Sequence, residues 1–204
     1  MGLGPRAARR EPARLASPDH LELLHCGPAA SAYPPLLFVH GAFAGAWCWS
    51  EHFMPYFAQA GFRCYAVSLR GHGASHGREG LALHSVANYA DDLEEVIAHI
   101  GAAPVVIGHS MGGFVAQKYL ERAALPGAVL LASVPPQGLL NASLNLALLR
   151  PKLFSELNGL ISEGRASLEA MRESLFAGPV ALDRLTLYYR LMQPESPRAI
   201  WDMT

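Results

Sequence analysis

Net charge is all but absent from this chain, in which 16 Lys and Arg stand against 17 Asp and Glu for a formal charge of -1. There is then no electrostatic case for a polyanionic partner, and nucleic acid is excluded as the binding target. Cysteine is scarce as well. Cys26, Cys48 and Cys64 make an odd number with no CxxC pair and no Cys/His ligand spacing, so neither a disulfide framework nor a zinc site is indicated. They read as small buried hydrophobes of a reducing compartment, and the expected location is cytoplasmic. Long apolar runs are missing too: the longest are of strand length, so no integral membrane segment is expected. The first residues lack the apolar stretch of a secretory signal. No internal repeat is visible.

What remains suits one globular α/β domain, with 51% hydrophobic and 16% charged residues in 204. Residues 1–19 carry Arg6, Arg9, Arg10 and Arg14 among Ala, Pro and Gly, and read as a flexible arm. Strands are expected at Leu21 to Cys26, Leu36 to Val39, Arg63 to Leu69, Pro104 to Ile107 and Gly127 to Ser133. Helices are expected from Met54 to Gly61, from Ser85 as N-cap to Gly101, and from Met111 to Leu120. On the second of these helices Val86, Tyr89, Ala90, Leu93, Val96, Ile97 and Ile100 share a face, which leaves Asp91, Asp92, Glu94 and Glu95 as solvated surface. Strand and helix alternate from residue 36, which predicts an α/β fold whose sheet is mostly parallel with helices on both faces. Residues 20–134 form this core. From Pro135 the strand pattern stops, and short helices at Leu144 to Leu149, Leu153 to Ile161, Ala166 to Phe176 and Ala181 to Met192 make residues 135–204 a helical cap or lid.

Chemistry concentrates at Val105 to Gln117, VVIGHSMGGFVAQ, a strand, a sharp turn and a helix with a serine at the apex. Gly108-His109-Ser110-Met111-Gly112 matches the GxSxG nucleophile elbow, in which small residues let the backbone turn tightly and the serine hydroxyl stands above the sheet. Gly113 permits close packing of helix on strand. Upstream, His40-Gly41-Ala42 ends another buried strand, where open α/β sheets place their ligands. Acyl transfer needs two backbone N–H groups aimed at the developing oxyanion. Met111, after the serine, supplies one, and Ala42 is the expected source of the other. His40 is expected to brace the turn through its ring, and Trp47 and Trp49 either pack beneath the turn or meet substrate.

Three motifs in order, HGAFAGAW, SLRGHGAS and GHSMGGFVAQ, each after a strand, make the chain resemble the α/β-hydrolase superfamily over residues 20 to 204. The likeness leans toward lysophospholipase-like and small-ester hydrolases with a helical cap. It implies a serine hydrolase of carboxylic esters with Ser110 as nucleophile, Ala42 and Met111 as the oxyanion hole, and His40, Gly41, Gly108, His109 and Gly112 as elbow and turn support. No cofactor and no metal are implied. The partner is a small-molecule or lipid-like ester, with the oligomeric state left open. Serine at position 110 excludes the epoxide-hydrolase and dehalogenase mechanism, which needs aspartate there.

One departure matters. In these hydrolases an Asp or Glu and then a His follow the serine after the cap, whereas here no histidine follows His109. The expectation is a front portion of the fold, with the C-terminal strands missing, an exposed sheet edge, a tendency to self-associate and weak turnover. His72, His76 and His84 are expected to serve scaffold and substrate contact and not as a substitute base. The alternatives are a non-catalytic hydrolase-like protein that binds a small apolar ligand, and a lyase or perhydrolase on the same scaffold.

Overall fold

The computed structural model describes residues 13–16, 21–152, 154, 155, 159 and 167–204. Leu36–Val39 (β3) and Cys64–Val67 (β4) are buried at every position, as strands covered on both faces must be. Their side chains divide by parity. Leu37, Val39, Tyr65 and Val67 join one hydrophobic cluster, while Leu36, Phe38, Cys64 and Ala66 join the other, the period-2 alternation of a pleated strand. Ala13–Ala16 (β1) and Glu22–Cys26 (β2) come before them, and Val105–His109 (β5) and Gly127–Leu131 (β6) after. The sheet order is β1-β2-β4-β3-β5-β6. Pairings from β4 through β3 and β5 to β6 are parallel, and those of β2 with β1 and β4 are antiparallel.

Trp47–Ser50 (α1) and Phe53–Gln59 (α2) cover one face of the sheet, and Val86–Ile100 (α3) and Met111–Leu120 (α4) cover the other. α3 begins where a capping box forms: Ser85 Oγ accepts from the Asn88 N–H and the Asn88 side chain accepts from the Ser85 N–H. It ends at Gly101 in the left-handed region, φ 71. Beyond β6 the described elements are helical: Leu140–Leu149 (α5), Leu168–Leu175 (α6), Leu182–Leu191 (α7) and Pro197–Asp202 (α8). Much of the helix expected at 153–161 lies outside the described residues. β6 is an edge strand, with Val129 and Leu130 42% and 44% exposed.

Three sequence expectations need correction. Ala13–Ala16, inside the predicted arm, pair with β2 as an edge strand, because backbone pairing rewards even a short, weakly patterned segment beside a ready strand edge. Asp92 is not solvated surface. It is fully buried, its Oδ1 is held by Arg70 Nη2 at 2.6 Å and Nε at 2.7 Å, and its Oδ2 accepts from the Arg70 N–H at 2.8 Å. Helical spacing places Asp92 beside the apolar stripe, and an arginine from the loop after β4 allows its burial. Third, the end of the predicted cap belongs to the core. Ala199 and Met203 are buried in the same cluster as Tyr89, Leu93 and Val115, and α8, unforeseen from sequence, is capped by Ser196 with Pro197 in its first turn.

Candidate active site

Strand order creates the site. From β3 the chain passes to β4 on one side, through α1 and α2 on one face of the sheet. From β5, on the other side of β3, it passes to β6 through α4 on the opposite face. The loops after β3 and β5 therefore part between neighbouring strands and leave a crevice at their carboxyl ends. Ser110 and the turn after His40 meet there: a Cβ added to Gly41 would lie 3.1 Å from Ser110 Cβ and 2.9 Å from His109 Nδ1.

Ser110 has φ 52 and ψ -117. Among the described residues the other non-glycine residues at positive φ are Phe43 and Ala132, so all three follow β3, β5 or β6 at their carboxyl ends. Each such conformation costs about 1–3 kcal/mol and persists only where the surroundings enforce it. Here the enforcement is visible. Ser110 N–H donates to the Leu131 carbonyl at 3.0 Å, and the Ser110 carbonyl accepts from Val134 N–H at 3.2 Å. A Cβ on Gly108 would come within 2.4 Å of the Gly112 carbonyl oxygen, and one on Gly112 within 2.4 Å of both the Val39 and His40 carbonyl oxygens. Gly112→Ala must then push α4 away from β3. The expected cost is about 1–3 kcal/mol of stability or more, read by chemical denaturation, with Ser110 displaced from the turn.

Ser110 is partly exposed, and its hydroxyl has no hydrogen bond to the described residues. The amides of Ala42 and Met111 likewise have no acceptor among the described residues. Met111 opens α4, whose first N–H groups lack intrahelical partners and carry the positive end of the helix dipole. Ser110 thus sits at the N-terminus of α4, against the turn that carries Ala42.

His40 is fully buried and spends both ring nitrogens on structure. Nε2 accepts from Leu69 N–H at 3.0 Å, and Nδ1 donates to the Gly41 carbonyl at 2.8 Å. Burial, then the neighbouring His72, lower its pKa to about 3; the ring stays neutral and ties the turn after β3 to the loop after β4. Both nitrogens of His72 are occupied too, with Nε2 at 2.9 Å from Glu195 Oε2 and Nδ1 at 3.1 Å from the Arg70 carbonyl. His84 Nε2 meets the Gly77 carbonyl at 2.7 Å. His109 is exposed. Among the described residues no histidine is hydrogen-bonded to the Ser110 hydroxyl, and no cluster of three or more His, Cys, Asp or Glu could hold a metal. Trp49 is buried and Trp47 partly so, stacked on Tyr188 of α7 at 6.0 Å.

Sequence reasoning missed Gln193 and Glu195. Gln193 Oε1 accepts from Gly73 N–H at 2.8 Å, its Nε2 donates to the Gly71 carbonyl at 2.9 Å, and its own N–H donates to the Phe43 carbonyl at 3.1 Å. The segment after α7 is thereby pinned between the turns that follow β3 and β4. A Gln and a Glu around a proline carry no periodic signal, and only the glycine-dense loop Arg70 to Ser75 hinted that something must fill its backbone groups.

A family model described as the alpha/beta hydrolase family matches residues 36–203. Norfluorocurarine synthase 1 of a Strychnos species is 35% identical over 108 residues, 49% of this chain and 38% of that protein. Methyl jasmonate esterase 1 of Vitis vinifera is 31% identical over 88 residues, 42% of this chain and 33% of that protein. The chain thus spans well under half the length of these relatives. Among solved structures, the esterase EaEST from Exiguobacterium antarcticum superposes with TM-score 0.64 over 94% of this chain and 72% of its own, at 18% identity. Family match, strand order and elbow geometry agree, and the chain belongs to the alpha/beta hydrolase family.

Proposed function

We propose that the chain carries the acyl-accepting half of a serine ester hydrolase. Ser110 Oγ attacks the ester carbonyl, the N–H groups of Ala42 and Met111 bind the oxyanion, and the alcohol leaves to give an acyl-enzyme that water then hydrolyses. The observation that supports this most is the pairing of a strained, partly exposed serine with two amides that have no acceptor among the described residues, at the switch point of the sheet. Relatives named as esterases support carboxylic esters, small or lipid-like, as the substrate class. The described residues place no base at the hydroxyl, so the oxyanion hole and binding alone leave about a 10³–10⁴-fold acceleration over water.

Added imidazole tests this reading directly, since a small diffusible base can take the serine proton. Hydrolysis of p-nitrophenyl esters by the chain is expected to be slow and to rise with imidazole concentration beyond the imidazole-only background. A rate that merely equals that background would contradict the proposal. A Ser110 hydroxyl with no hydrogen bond to the described residues also favours a second reading, in which the crevice binds a small apolar ligand without turnover. That reading predicts ligand binding that survives Ser110→Ala together with no imidazole-dependent hydrolysis.

A further inference from the structure

Cys26 and Cys64 lie directly opposite one another where β2 runs antiparallel to β4. Directly opposed residues project from the same face of a sheet, and both cysteines belong to the cluster beneath α2. Opposed Cα atoms in an antiparallel pair are about 4.5–5.5 Å apart, inside the span of about 4.4–6.8 Å that a disulfide bridges. The Cys64 thiol donates to the Phe62 carbonyl at 3.7 Å. Cys64 is fully buried, whereas Cys26 is partly exposed. The more accessible cysteine is also the more acidic one: the neighbouring Cys64 side chain lowers the Cys26 pKa, against the opposing effect of burial. Cys48 has no such partner, and burial pushes its thiol up to about 12. The pair sits at the amino end of β4, away from the carboxyl-end crevice, and the ester chemistry gives it no part.

We propose that Cys26 and Cys64 are a modification site, a dithiol that closes to a reversible cross-strand disulfide on exchange with a small-molecule disulfide such as oxidised glutathione. The Cys26 thiolate attacks one sulfur of the oxidant, breaks its S–S bond and releases one glutathione thiol. Cys64 then gives its proton to solvent, attacks the Cys26 sulfur of the mixed disulfide and expels the second glutathione. Two protein thiols lose two electrons and one glutathione disulfide becomes two thiols. The product staples the β1–β2 edge to the parallel sheet and closes a loop containing β3, α1 and α2.

Incubating the folded chain with oxidised glutathione, followed by intact-mass and peptide mapping, tests this. The expected product is about 2 Da lighter than the reduced chain, retains Cys48 as its free thiol, yields a peptide linking positions 26 and 64, and melts at a higher temperature. Cys48→Ala should give the same linked peptide. Cys64→Ala should stop at the glutathione adduct on Cys26. A wild-type chain that retains all its thiols, stops at the mixed disulfide, or links Cys48 would overturn the proposal.

Discussion

Glu195→Ala is expected to lower stability by about 3–5 kcal/mol, because removing a buried carboxylate leaves the groups that converge on it without their acceptor. His72 turns its Nδ1 to the Arg70 carbonyl and its Nε2 to Glu195. Glu195 Oε1 accepts in addition from Tyr89 Oη and from its neighbour's N–H in Ser196, each at 2.7 Å. Alanine leaves these donors in a site where both side chains of the pair are fully buried. At roughly 2–4 °C per kcal/mol for a chain of this size, thermal melting resolves the loss easily. Glu195→Gln is expected to cost far less, since the amide fills the same space and its oxygen can still accept from Tyr89 and Ser196. A small effect of alanine would contradict this account of the network.

The same carboxylate sets an acid limit. Burial raises its pKa, but His72, Tyr89 and Ser196 together outweigh burial and leave it below the ordinary 4.5. A depressed folded value means that the contribution is complete above 4.5 and is lost as pH falls through the lower folded value. Denaturation midpoints of the wild type should therefore fall across that acidic window, and those of Glu195→Gln should lack this component.

Ser110→Ala is expected to remove all imidazole-dependent ester turnover, the largest effect on activity that any single change here should have. Without the oxygen no acyl-enzyme can form, and the amides of Ala42 and Met111 have only a bystander carbonyl to bind. Stability should move little or rise, since a hydroxyl with no hydrogen bond to the described residues is removed. Loss of activity with retained melting behaviour separates a chemical role from a structural one. Turnover that survives the substitution would place the chemistry elsewhere.

Much of the fold was legible because its central strands obey simple rules. Leu36 to Val39 is uniformly apolar and buried, and Ser85 with Gly101 marks the ends of α3 by capping chemistry alone. The elbow was legible for a steric reason, since Gly108 and Gly112 sit where a Cβ would strike backbone. What escaped depends on partners distant in sequence. Asp92 reads as surface until Arg70 is placed against it, and Glu195 reads as a connector until a chain reversal brings it to His72, 123 positions away. β1 escaped because its pairing comes from the edge of β2 and not from its own composition.

Covalent labelling bears most directly on the whole account. The folded chain should be treated with a fluorophosphonate and added imidazole, and the adduct located by peptide mass spectrometry. The expected result is a single adduct on Ser110 that disappears when the chain is unfolded beforehand. Label spread over other serines, or an adduct on Ser110 that forms equally well in the unfolded chain, would contradict an oxyanion site built by the fold.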